Sequence, residues 1–135
     1  MKTTIAQKRS KFALEQMAAI QGNMDSTGKK EFPKLAKSLP AMILQNGFGQ
    51  TMAFLLAKGS KDNKFQDREG HIDKHICSFD TIAKWLNERG LLATTDHNQV
   101  IRRLSEMSQG DYLRCQEETL LYMEWVKKYA NSGLF

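Results

Sequence analysis

The sequence predicts an all-α fold, a single-domain bundle of about six helices, on three observations. Leu, Met, Ala, Lys, Gln and Glu recur throughout while alternating β-branched runs are almost absent. Only Pro33 and Pro40 interrupt 135 residues. Apolar residues return every three or four positions over stretches of helix length. At 41% hydrophobic and 26% charged residues, the composition is that of a soluble globular domain, long enough to bury one core without staples.

The first helix is expected over 4–24, where Ala13, Met17, Ile20 and Met24 share a face, Thr3 or Thr4 caps the start, and Lys8, Lys11 and Glu15 lie on another face. Residues 25–28 read as a turn. A short helix follows over 30–38 with Pro33 in its first turn, where the missing N–H costs nothing. Phe32, Leu35, Ala36 and Leu39 face inward, and Lys30, Lys34 and Lys37 form an outward stripe at i, i+4, i+7. Pro40 disfavours helical geometry at Leu39 and is expected to restart the chain in a third helix over 40–58. Its expected core stripe is Ala41, Leu44, Phe48, Met52 and Leu55, with Gly59 as C-cap. Gly47 and Gly49 would each cost about 1 kcal/mol inside that helix, which points to close approach by a neighbouring helix.

Residues 60–70 are polar and charge-dense and read as an exposed connector. Three further helices are expected: 71–89, ended by Gly90; 96–108, capped by Thr95 or Asp96; and 111–130, closed by Gly133. The longest apolar run, 52–57, is far short of the roughly 20 residues a membrane span needs. The N-terminus leads into no apolar signal region, so a cytoplasmic protein is expected. Cys77 and Cys115 are too far apart in sequence for a redox or zinc pair and are expected to remain thiols.

The net charge of +5 is unevenly spread. Residues 1–60 hold nine basic against three acidic side chains, whereas 61–135 hold eleven against twelve, so a basic N-terminal half (1–60) joins a near-neutral C-terminal half (71–135) through the connector. Such asymmetry suits a polyanion, because Lys and Arg release condensed counterions from phosphates.

Catalytic chemistry finds little support. His71 and His75 stand four apart with Asp73 between them, but no glutamate follows the first and His97 is remote, so no metal site is assigned. Neither cysteine lies in a nucleophile signature, no G-x-S-x-G elbow occurs, and Gly47-Phe48-Gly49 lacks the preceding strand of a phosphate loop. No enzyme and no cofactor are expected. A helix-turn-helix-like pair over 81–104 could present Asn98, Gln99, Arg102 and Arg103 to DNA, the alternative being a stand-alone regulator, although that half is not net basic. The lysine stripe is followed by Gln45, Asn46 and Gln50, and lysines beside amides suit single-stranded nucleic acid held by its backbone.

Lys34, Leu35, Ala36, Leu39, Pro40, Ile43, Asn46, Gly47, Phe54 and Leu55 fall in a pattern that resembles the K-L-A-x-x-L-P-x-x-I-x-x-N-G-L-x-x-x-x-x-F-L region of the small helical fifth subunit of the Cmr module, from type III-B CRISPR effector complexes. Phe48 stands where that family commonly has Leu. Gln7 to Ala13 loosely resembles the family's first helix. The resemblance implies a non-catalytic subunit of an antiviral-defence ribonucleoprotein, stacked in several copies beside the backbone and large subunits along guide RNA and target RNA, with no membrane association. The candidate nucleic-acid-binding residues are Lys30, Lys34 and Lys37, the amides Gln45, Asn46 and Gln50, and, if the first two helices pack side by side, Lys8, Arg9 and Lys11.

Overall fold

Helices start in this chain where a side chain supplies the acceptor that the first backbone amides lack. The computed structural model describes residues 2–59 and 73–134; the expected connector over 60–70 and His71 lie outside them. Thr4 closes a capping box with Gln7 (3.1 and 2.7 Å) and begins α1, Ile5–Gly22. Asp25 accepts from the Gly28 amide (2.7 Å) and begins α2, Ser26–Asn46. Then come α3, Phe48–Gly59; α4, Lys74–Glu88, capped by Asp73; α5, His97–Glu106, capped by Asp96; and α6, Gln109–Ala130, capped by Ser108. The all-α expectation holds: six helices and no strand are present among the described residues.

The largest departures from expectation are at the two ends of α2. The stretch 25–28 is not a free turn but a cap and first helical turn, so Pro33 lies two turns inside the helix. The chain also does not restart at Pro40, which is a second interior proline. Each proline removes one i→i−4 hydrogen bond, at about 3 kcal/mol. Phe32, Ala36, Leu39 and Ile43, spaced 4, 3 and 4 apart, are all buried and carry one face across both prolines. Full burial of a large apolar side chain returns about 1.5–3 kcal/mol, so Phe32, Leu39 and Ile43 together offset the loss. That register turns Ala41 and Leu44 outward: Leu44, expected in the core, is 70% exposed.

The break falls instead at Gly47, with φ at +91°, a backbone conformation that L side chains rarely adopt. The Gly47 carbonyl accepts from the amide (3.2 Å) and hydroxyl (2.9 Å) of Thr51. The start of α3 is held from α6: the Gly49 amide donates to the Tyr112 hydroxyl (2.8 Å) and the Phe48 amide to Gln116 Oε1 (3.3 Å). The close approach inferred from Gly49 is therefore that of Tyr112. Gly59 is the buried last residue of α3 rather than a cap, and a Cβ there would collide with the Ile76 side chain of α4.

The two central helices are α4 and α6. The latter packs against α1, α2 and α4, the former also reaches α1, α2 and α3, and α5 rests mainly on α3. Where α1, α4 and α6 meet, Trp85 stacks on Tyr122 (5.3 Å) and meets the edge of Phe12 (5.2 Å), while the Tyr122 and Thr81 hydroxyls are bonded at 2.7 Å.

Candidate nucleic-acid interface

Because α2 is one continuous helix, its outward face is also continuous. Lys30, Lys34 and Lys37 project from it, all exposed. Lys34 reaches Glu31 at 3.4 Å while remaining 66% exposed, a contact worth little in water. Lys30 and Lys37 form no ion pair with any described residue. The stripe therefore presents two ammonium groups unpaired among the described residues and a third, Lys34, held only weakly by Glu31.

The amides at the end of α2 share this condition. Gln45, Asn46 and Gln50 are exposed around the Gly47 turn, and their side chains bond to none of the described residues. The turn places Gln45 and Asn46 on one helix and Gln50 on the next, with Tyr112 and Gln116 behind them fixing the angle.

The basic residues of α1 divide. Lys8 and Lys11 are exposed, but α1 and α2 each pack on α6 and have little direct contact, so the side-by-side arrangement that would join them to the lysine stripe is not present. Arg9 turns inward: its Nε and Nη2 donate to the two carboxylate oxygens of Glu118 at 2.7 and 3.0 Å, with side chains 11% and 9% exposed. Trp85 Nε1 donates to the same carboxylate (2.9 Å), and Arg89 stands 3.8 Å away. Burial pushes the Glu118 carboxyl up, but the hydrogen bonds from Arg9 and Trp85 and the charges of Arg9 and Arg89 outweigh it, leaving the pKa below the usual glutamate range. Nothing in the sequence near Arg9 signals a partner 109 positions away.

The other candidate chemistries have their own places in the fold. The His75 ring contacts Asp73 (3.1 Å) and the edge of Phe54, and burial lowers its pKa despite that carboxylate. Among the described residues no three His, Cys, Asp or Glu side chains converge as a metal site. Cys77 and Cys115 are both buried free thiols, pushed up by desolvation to about 12 and about 11, which removes their nucleophilic form near neutrality. The 81–104 pair is not a helix-turn-helix: residues 89–96 separate α4 from α5, α5 rests on α3, and its first residue, His97, is tied to Asp80 (2.7 Å) and packs on Phe79. Asn98, Gln99, Arg102 and Arg103 are exposed, with Arg102 Nε donating to Asn98 (2.6 Å).

Against known proteins, the family model described as CRISPR-associated protein (Cas_Cmr5) matches residues 5–133. The chain belongs to the Cmr5 family. It is thereby a subunit of the type III-B CRISPR, or Cmr, complex. The fold agrees: a CRISPR-associated Cmr5 family protein from Thermus thermophilus, known from an X-ray crystal structure, superimposes with a TM-score of 0.67 at 22% sequence identity, over 96% of this chain and 97% of that one. The family match spans both described segments. No described helix is long and apolar enough to cross a membrane.

Proposed function

We propose that this Cmr5-family subunit is non-catalytic and holds RNA: it stacks in several copies beside the backbone and large subunits, with the lysine face of α2 turned toward the phosphates of the guide and target RNA. The observation that carries this reading is the exposed and largely unpaired row Lys30, Lys34 and Lys37 on one face of α2. A buried or paired lysine serves the fold, whereas an exposed unpaired row gains free energy only from an external anion. Gln45, Asn46 and Gln50 extend the same surface with uncharged donors and acceptors suited to sugar and base. Lys8 and Lys11 on α1 form a separate contact region, and Arg9 contributes through the fold rather than by touching RNA.

A guide-loaded complex expressed with and without this chain, analysed by size exclusion, tests the subunit role: co-elution in more than one copy is expected, and full assembly with the chain left in the unbound fraction contradicts it. Lys34→Glu with Lys37→Glu, both at exposed positions, then tests the RNA face. Weaker retention of target RNA with a shallower salt dependence is the expected result.

A further inference from the structure

Beyond Pro40 the lysine stripe changes character without changing direction. Lys30, Lys34, Lys37, Ala41 and Leu44 stand at i, i+4, i+7, i+11 and i+14 of one uninterrupted helix, so they share a face. Leu44 lies about 10 Å along the axis from Lys37. At 70% it is the most exposed of the large apolar side chains described. Gln45 stands beside it, and Asn46 and Gln50 follow at the Gly47 turn, all three amides without a partner among the described residues.

We propose that Ala41, Leu44 and Gln45, at the end of the lysine stripe, seat an unpaired nucleobase of the bound RNA strand. The inference rests on the RNA reading above and adds to it an apolar seat, Ala41 and Leu44, that covers the face of one base. A strand whose phosphates follow the three lysines is led along the helix toward Leu44. There the face of a ring covers apolar surface that otherwise stands in water. An amide carries both a donor and an acceptor, so Gln45 can meet the edge of a base with both, where a phosphate would engage only the donor. The bases of a regular duplex are stacked on one another and offer no free face, so the seat selects a position where pairing is interrupted. An apolar protein surface would also cover Leu44, but it would leave the three unpaired amides and the adjoining lysines without partners.

The test uses the assembled complex with target RNA carrying 4-thiouridine, irradiated and digested with trypsin. Cleavage after Lys37 and Lys58 isolates residues 38–58, which hold Leu44, Gln45, Asn46 and Gln50 and none of the stripe lysines. Crosslinks to this peptide are expected, with yield lowered about five-fold or more by Leu44→Ser and with the salt dependence of RNA retention unchanged. Crosslinks confined to the peptides within 31–37 would overturn the base seat while leaving the phosphate contacts standing. Absence of crosslinks anywhere on the chain would overturn the RNA reading and the seat together. Loss of the Leu44→Ser chain from the complex, with unchanged yield per chain retained, would overturn the seat by assigning Leu44 to a protein contact.

Discussion

Arg9 and Lys34 sit in the same basic half of the chain, both on helices that pack against α6, yet they do opposite things. Arg9 is buried and doubly bonded to Glu118, whereas Lys34 stands in water with one weak neighbour. The α1–α4–α6 junction uses the charge of Arg9 internally: Glu118 takes donors from Arg9 and Trp85 and has Arg89 nearby, so the buried Arg9 offers none of its charge to a ligand. The outward face of α2 leaves its charge unused. Net charge therefore overstates the surface available to a polyanion, and the side-chain partners, not the count of lysines and arginines, locate it.

Breaking the junction should give the largest effect. Arg9→Met takes two hydrogen bonds from a buried carboxylate that keeps only Trp85 and the more distant Arg89, and losing hydrogen bonds to a charged group costs about 1.5–3 kcal/mol, read as a lower denaturant midpoint. A stability unchanged within about 1 kcal/mol, on the order of a surface substitution, would contradict the buried role of the pair. The same junction sets a pH dependence. Because the folded-state pKa of Glu118 is lowered, its contribution is fully present above the ordinary glutamate value of 4.5 and is lost as the pH falls through the lower folded value. Acid titration of the unfolding midpoint should thus show a loss below about pH 4.5 that is absent from Glu118→Gln.

An intermediate effect is expected at the turn that ends α2 and begins α3. Gly47→Ala forces a Cβ into the left-handed conformation at the turn, at about 1–2 kcal/mol, although the nearest neighbour, Tyr112, leaves room for it. Thermal unfolding should move downward while the lysine stripe, whose nearest member Lys37 stands about 15 Å back along α2, keeps its contribution to RNA retention. A stable Gly47→Ala protein would mean that the turn relaxes without strain.

The fold class, the number of helices and the caps of α1 and α5, each narrowed to two adjacent residues of which Thr4 and Asp96 serve, are legible in the sequence because they depend on residues near one another along the chain. The course of α2 is not. Local rules make Pro40 a restart, and only burial of the Phe32, Ala36, Leu39 and Ile43 row against the rest of the fold overrides them. That single difference rotates the expected core stripe and would place Leu44 inside. Glycine commonly ends helices, which predicts Gly59 as a cap, while the structure needs it for the approach of Ile76. Of the candidate interface, the lysines and amides are visible as a pattern, but the commitment of Arg9 to Glu118 depends on a contact between the two ends of the chain.

The smallest stability effect belongs to the lysines: Lys34→Glu, Lys37→Glu should unfold within about 0.5 kcal/mol of the parent, since neither side chain supports the fold. A larger loss would erase the contrast between the two regions.

The most direct measurement is the salt dependence of target RNA retention by the assembled complex, with Lys30, Lys34 and Lys37 all replaced by Gln and with Arg102→Gln as the control. If α2 faces phosphates, the log–log slope becomes shallower by about 0.7–0.9 for each lost contact in the triple variant and stays the same in the control. An unchanged slope in the triple variant, or an equal change in the control, would contradict the assignment of the RNA face to α2.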